Sequence, residues 1–438
     1  MERRVRRGVL AGSALALSVG VAGCGIAPDP ADAELSEGDV TLTMTWWGAD
    51  ARHQATLDAI ELFEEKNPRI TVEPTYADWG GYWDRLATTA AAGDMPDVVQ
   101  FDQLYLASYA GRGALLDLDA LPEFVDASSL PETVLGGGRV DGSLYAVPIG
   151  VAGNGVVLNT SVFEKYGVPV PDTDTWTWDE FNATAEAITE ASGGEVHGLT
   201  PFGADSFTLE VFARQRGEAL FNEEGDVAID PATLAAYWQQ RLDWIESGAA
   251  PSAAALSEKQ GVPLDQGSLV VGDVAMEFQP AGLFTAISAA APDSNFEIVD
   301  WPADPGTQEG FQYPKPSMYW AGSSQSEHPA EAALLIDFLV NDPEVAEAFG
   351  TERGIPASEE FQAAVEPSLD EAGRKALTFT ELVSKEAGDA PPITPNGASE
   401  VETILSRYNQ QVQFGQLTPQ DAAQRFIEEL QSAIDATG

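Results

Sequence analysis

The sequence predicts an α/β protein with a parallel sheet, and three observations predict it. From Val40, segments of alternating apolar and polar residues take turns with segments whose apolar residues recur at helical spacing. The order is strand, helix, strand, helix, strand over about sixty residues, the signature of a parallel α/β sheet. Near Gly150 the rhythm then changes, which predicts a second lobe.

The elements follow in order. "VTLTMTW" (40–46) is the first strand, and "ARHQATLDAIELFEEKN" follows it with Leu57, Ile60 and Phe63 on one helical face, ending at Asn67-Pro68. "ITVEPTY" is a second strand, "YWDRLATTAAAGD" a helix stopped by Gly93, and "PDVVQFD" a third strand. Ligands of such sheets sit beyond the carboxyl ends of the strands, here the residues after Trp46 and after Phe101. "GSLYAVPIGVAGNGVVLN" is apolar, Gly-rich and extended, and the helical stretches "TWDEFNATAEAITEA", "TLEVFARQRGEALF" and "PATLAAYWQQRLDWIESG" come after it. "MYWAGSS" reads as a strand returning to the first lobe. "SEHPAEAALLIDFLV" and "DPEVAEAFG" are helices, the latter opened by Asp342 and Pro343 and closed by Gly350. Thr418 caps the last helix, with Pro419 in its first turn and Phe426 and Leu430 on one face. The expected division is 40–149 with 302–352 in the first lobe, and 150–301 with 353–438 in the second.

Composition narrows the function. The 438 residues include 70 acidic and 22 basic side chains, for a formal net charge of -48. A surface this acidic repels nucleic acid and favours solubility; a cationic ligand is the sharper reading of the same charge. "MERRVRRGVL" is basic, and "LAGSALALSVGVAG" is small and apolar up to Cys24, so residues 1–23 read as an export signal. Cys24 is the only cysteine, which excludes an internal disulfide. Its place after Ala22-Gly23 resembles a lipobox, in which the cysteine sulfur is lipidated and anchors the chain to the membrane. Residues 24–39, rich in Pro, Asp and Glu, read as a flexible tether.

Catalytic motifs are weak. The sequence has no Walker loop, dinucleotide fingerprint or nucleophile elbow, and His53, His197 and His328 lie far apart with no metal-ligand spacing. No cofactor and no metal are expected, and the chain reads as a binder rather than an enzyme. Ten tryptophans carry the stronger signal, with Trp46, Trp47, Trp79, Trp83 and Trp320 near strand ends or loop–helix junctions. A sugar presents C–H faces rimmed by hydroxyls, so its site wants flat aromatic platforms with polar groups beside them. Trp46 alternates with Leu42 and Met44 and reads as core; Trp47 points the other way and reads as available. Asp50 reads as an N-cap, and Arg52 and His53 as first-turn residues that oppose the helix dipole, which makes them candidates for ligand contact.

In order, "TMTWWGADARHQATLDAIELFEEKNPRITVEPTY", "GDMPDVVQFD", "YAVPIG", "GDVAMEFQ", "HPAEAALLIDFLVNDPE" and "RGIPAS" resemble the extracellular solute-binding proteins (family 1) that feed carbohydrate ABC importers. The resemblance covers Val40 to the C-terminus. It implies the bilobal periplasmic-binding-protein-like fold of type II, with two α/β lobes joined by hinge segments and closing on a sugar or oligosaccharide. Carried onto this chain, it puts ligand contacts at Trp47, Asp50 and Arg52, at Asp102 and Tyr105 with Trp79 on the flank, and at Ser206, Phe207 and Gln279. Relatives often stack a Trp after the "AM" strand. "MEFQPAGLF" has none, so Phe284 or Trp320 has to substitute. The reading is a lipid-anchored, monomeric, extracytoplasmic protein that delivers a sugar to an ABC permease. The alternatives are a polyamine binder, which needs several cleft carboxylates and no arginine there, and a secreted glycosidase with two opposed acids.

Overall fold

The computed structural model describes residues 33–437. Its first sheet has six strands, in the order Ile355–Pro356, Ala146–Ala152, Lys315–Gly322, Val98–Phe101 (β3), Val40–Trp47 (β1) and Ile70–Ala77 (β2). β1 runs parallel to β2 along its whole length, Val40 opposite Ile70 and Trp47 opposite Ala77, and parallel to β3 from Met44 opposite Val98. Lys315–Gly322 is the returning strand, antiparallel to both of its neighbours. The second sheet has four strands, Phe296–Val299, Asn154–Asn159, Val274–Pro280 and His197–Thr200, only the last two being parallel.

Local chemistry explains the helices between the strands. Helix α1 (Asp50–Lys66) buries Ala55, Ala59, Ile60 and Phe63 against the first sheet. The expected cap is displaced by one residue: Ala49 holds the N-cap position without a side-chain bond, and Asp50 is the first helical residue, placed to offset the dipole. Helix α2 (Trp79–Ala92) starts on the Asp78 carboxylate, which accepts from the Gly81 N–H, and stops at Gly93 in the left-handed region (φ 75°). Helix α3 (Gln103–Gly111) starts on Asp102, which accepts from the Leu104 N–H. In the second lobe the expected helical stretch 208–221 is helical only through Arg214, and Asp205 caps the helix Ser206–Arg214. Thr418 caps the last helix, as its sequence predicts.

Leu42, Met44, Phe63, Val98, Phe101 and Trp320 belong to the core around the first sheet, and Leu158, Phe181, Phe202, Trp238 and Phe426 to that around the second. A third, smaller cluster sits between them, joining Val157 and Ile355 to Phe379 and Val383 of the helix Glu371–Glu386. The chain's first passage from one sheet to the other runs through a single residue, Gly153. A Cβ there would lie 2.6 Å from Val383 Cγ2. The segment after Arg353 differs from the expected division: Pro356 pairs with Gly150, and Phe361 and Val365 pack into the first core, so residues 355–365 lie with the first sheet. The end of the expected tether is also pinned there. Ala33 packs on the first core, the Ser36 N–H donates to Glu331, and Arg69 donates to the Glu37 carbonyl.

Gly150 is the tightest point of the crossing. A Cβ would collide with the Arg353 carbonyl oxygen and reach 3.0 Å from Ser317 Oγ. Gly150→Ala therefore lowers stability by about 2–3 kcal/mol in urea unfolding. Gly38→Ala, where nothing lies within 4 Å, changes it by less than about 0.5 kcal/mol.

Candidate functional site

The first wall of the site is aromatic. Trp46 and Trp47 point to opposite faces of β1, as their alternation predicts. Trp46 is fully buried, 5.2 Å from the Tyr76 ring, and donates its indole N–H to His53 Nδ1 at 3.1 Å. His53 in turn stacks on Tyr76 at 4.1 Å. Burial, the largest influence, lowers the His53 pKa and favours the neutral ring that can accept that bond. His53 thus completes the packing of Trp46 and Tyr76. On the other face, Trp47 meets Trp79 edge-on at 5.0 Å, Tyr82 at 5.2 Å and Trp83 at 5.7 Å. Trp83 rests on Tyr105 at 4.0 Å, and Tyr105 lies 6.5 Å from Trp79. The expectation of a freely available Trp47 is corrected: it is 7% exposed, whereas Trp79 is 42% exposed. Trp47 supports the surface and Trp79 presents it.

Arg52 is committed to backbone. Its guanidinium donates to the Glu352 carbonyl at 2.7 Å and reaches the Trp47 carbonyl at 3.4 Å, tying the end of β1 to the crossing segment. Asp50, one residue past the cap, is exposed. Trp320 is fully buried, with the Arg353 guanidinium 5.2 Å from its ring, so it offers no face to the cleft and cannot stand in for the missing Trp as expected. Phe284, the other substitute, is also fully buried. Asp102 caps α3, and Tyr105, three residues on, is held above the usual phenol range by burial, then by the charges of Asp102 and Glu400.

Glu400 belongs to the opposite wall, and so does the surface that Leu104 packs against. That wall is built on the helix Ser206–Arg214. Asp205 accepts from the Thr208 N–H at 2.8 Å and from its hydroxyl. Glu402 accepts from the Ser206 N–H and hydroxyl at 3.0 and 2.5 Å. Burial raises both carboxyls above the ordinary range, and the Asp205 charge raises Glu402 further. Lys315, the charge that opposes them, lies with its Nζ 5.8 Å from the Phe207 ring. Phe207 is itself buried and packs on Tyr313. Gln279 donates to Glu277 at 3.1 Å, and burial pushes that carboxyl up to about 7.

The structure therefore brings Trp47, Trp79, Asp102 and Tyr105 together on one wall and Ser206 and Phe207 on the other. Arg52 lies at the base of the first wall, and His53 and Trp320 are turned into packing. Asp205, Lys315, Glu400 and Glu402 join the site without having been singled out. Asp205 carried a usable signal, a cap residue directly before a helix that begins with Ser206. Glu402 carried none, one acid among many.

Two α/β lobes facing each other across aromatic and hydrogen-bonding walls define a two-lobed binding protein, whose cleft holds a small solute. The chain belongs to the family described as bacterial extracellular solute-binding protein, whose model matches residues 58–375. It is a binding protein of the extracytoplasmic space and not an enzyme. A Brucella abortus (strain 2308) chain, whose name claims only a binding role, is 26% identical over 363 residues, 82% of this chain and 84% of that one. Two solved structures are similar at 25% identity. One is an extracellular solute-binding protein family 1 member of Alicyclobacillus acidocaldarius, with a TM-score of 0.73 over 91% of this chain and 99% of that one. The other is a periplasmic oligogalacturonide-binding protein of Yersinia enterocolitica in complex with saturated digalacturonic acid, with a TM-score of 0.76 over 90% and 100%.

If Trp79 presents the surface and Trp47 supports it, the two fail differently. Trp79→Ala leaves the unfolding midpoint of the free protein nearly unchanged and weakens solute binding by about 1–3 kcal/mol in calorimetric titration. Trp47→Ala loses about 3–5 kcal/mol of stability.

Glu210, on the same helix, gives a pH signature. Its Oε2 accepts from the Leu220 N–H at 2.8 Å, its Oε1 has no partner, and burial pushes the carboxyl up to about 7 from an ordinary 4.5. Between those two values the folded chain holds a proton that the unfolded chain has released. Stability contributed by this group is therefore present at low pH and falls as pH rises through that window. Wild type loses roughly 2–4 kcal/mol from this group between pH 5 and 8. Glu210→Gln removes that part of the slope in urea unfolding across the same range.

Proposed function

We propose that the chain captures a neutral sugar or oligosaccharide between its lobes and delivers it to the permease of an ABC importer. The observations that carry this reading are the aromatic Trp79–Tyr105 surface of the first lobe, with Tyr105 within reach of the Glu400 charge, and the hydrogen-bonding helix start of Asp205, Ser206 and Glu402 on the second. Aromatic faces take the C–H faces of a sugar ring, and carboxylates and hydroxyls take its rim. The Yersinia relative, named for binding an oligogalacturonide, supports the saccharide class. The acid-rich wall, however, suits an uncharged sugar better than a uronate. Lobe closure is the mechanism: the ligand favours the closed state through contacts with both walls at once. The lobes are taken as 40–152 with 315–365, and 154–299 with 371–437, the rotation falling near Gly153. Cys24, outside the described residues, is the proposed lipid anchor, which keeps the protein beside its permease.

A cationic solute is the second reading. It is favoured because Arg52 is occupied by two backbone carbonyls rather than standing free, while Asp205, Glu277, Glu400 and Glu402 gather near the second wall.

The test is a thermal-shift panel of neutral mono- and oligosaccharides, uronates and polyamines, followed by solution scattering. A neutral sugar at a hundredfold excess over its Kd stabilises the protein by about 2.7 kcal/mol and shrinks its radius of gyration. Stabilisation by polyamines alone establishes the second reading. No response from any member defeats both.

A further inference from the structure

The Arg353 carbonyl meets Gly150 and Ser317 at the crossing, and the Arg353 side chain leads from that point into a seam against α1. Its guanidinium donates to the Thr56 hydroxyl at 2.6 Å, and that hydroxyl donates to the Arg52 carbonyl at 2.6 Å. Arg52 stands one turn earlier on the same face of α1 and bonds the Glu352 carbonyl. Two guanidinia therefore lie between one helix face and two consecutive residues of the crossing segment. Arg353 is buried, with the Phe349 and Trp320 rings 4.2 and 5.2 Å from its guanidinium carbon.

The seam is rich in donors and poor in acceptors. Arg353 Nε and Nη1, Arg52 Nε and the Trp320 indole Nε1 are buried without a hydrogen-bond partner among the described residues. One acceptor beside them is in the same condition, Oε1 of Gln100, which lies opposite Trp320 in the sheet. The neighbouring carbonyls are already engaged, those of Glu352 and Trp47 by Arg52, that of Arg52 by Thr56 and that of Arg353 by Ser317. Glu352, whose charge reaches both arginines, is exposed and acts on them through that charge alone. A water molecule would accept from two of the donors but bring two hydrogens of its own to a place short of acceptors. A small anion accepts from several N–H groups, brings none, and answers two like charges at once. Doubly charged oxyanions cost more to strip of water in so buried a place, which favours a halide.

We propose that the seam between α1 and Glu352–Arg353 is a halide site, in which chloride is held by the Arg353 guanidinium beside Arg52. The ion fastens α1 to the crossing segment and so makes the stability of the first lobe depend on chloride. An acidic surface by itself responds to any salt, through screening. The site lies in the first lobe and stands apart from the sugar reading.

The test is thermal unfolding of the whole protein at one ionic strength, with sodium gluconate replaced stepwise by sodium chloride. Screening of the acidic surface is thereby held constant. The melting midpoint rises with chloride along a saturating curve, by roughly 2–4 °C up to about 300 mM, and sodium bromide reproduces it. Arg353→Met keeps an apolar side chain of similar reach but removes the donors, and its midpoint is the same in chloride and gluconate. Should that variant fold poorly, diffraction from wild-type crystals soaked in bromide takes its place, with an anomalous peak expected against an Arg353 nitrogen. A wild-type midpoint equal in chloride and gluconate overturns the site and leaves its donors to water. A chloride response that persists in Arg353→Met, or bromide found at the surface only, puts the ion elsewhere and overturns it as well.

Discussion

Where the chain crosses between its two sheets there is room for backbone and almost none for side chains, and the rest of the structure depends on that fit. Gly150 packs on the Arg353 carbonyl oxygen, which also accepts from the Ser317 hydroxyl, so three segments distant in sequence meet at one carbonyl. The first lobe holds this point from its own side. The Arg353 side chain is buried between Phe349 and Trp320 and donates to Thr56, while Arg52 bonds the neighbouring Glu352 carbonyl. Burial, and then the neighbouring Arg52 charge, push the Arg353 guanidinium well below its usual range, against the pull of the Glu352 charge. A buried cation opposes folding, and the two flanking aromatic rings offset part of that cost. Arg52 and Arg353 are therefore best understood as ties that fasten the crossing segment to the first lobe. Under the proposed closure, rotation is left to the backbone beyond them, at Gly153.

The same division of labour appears in the walls. The first wall is apolar and deep: Trp47, Tyr82 and Trp83 pack edge-to-face beneath Trp79, so the presented ring stands on a rigid base. The second wall is polar and organised around a helix start, where Asp205 and Glu402 take up the N–H groups that the helix cannot satisfy itself. A ligand with two kinds of surface, flat C–H faces and a rim of hydroxyls, uses both walls only when they approach each other. Differential affinity for the closed state follows from this separation of chemistries.

Much of the fold was legible because period and punctuation agree. β1 alternates, α1 repeats at helical spacing, and Gly93 ends α2 where a left-handed residue is needed. The opposite facing of Trp46 and Trp47 was legible for the same reason, since adjacent residues on a strand point to opposite sides. Exposure was not. Whether Trp47 is free depends on α2, whose Tyr82 and Trp83 cover it, and local periodicity holds no information about that packing. His53 was misread in a similar way. Its unfavourable position in the first turn suggested a ligand contact, but it is offset by the Trp46 indole and the Tyr76 ring. The crossing after Arg353 was placed too early because Ile355 and Pro356 form only a two-residue strand, recognisable by its pairing with Val151 and Gly150 and not by pattern. Glu402 was invisible for a compositional reason: in so acidic a chain, position and burial distinguish a working carboxylate, and neither is written locally.

The second wall also bears on how tightly such a site can hold an uncharged solute. Asp205 and Glu402 already accept bonds from Thr208 and Ser206, so their orientation is set before a ligand arrives. Each oxygen keeps further lone pairs for a hydroxyl of the solute. Burial raises both groups toward protonation, and Lys315 pulls in the other direction, which holds the wall in balance without closing it with a salt bridge. A direct ion pair between Lys315 and either acid would have to break before a sugar hydroxyl could enter. Under the proposed sugar binding, therefore, no Lys315 salt bridge has to be lost before a hydroxyl enters.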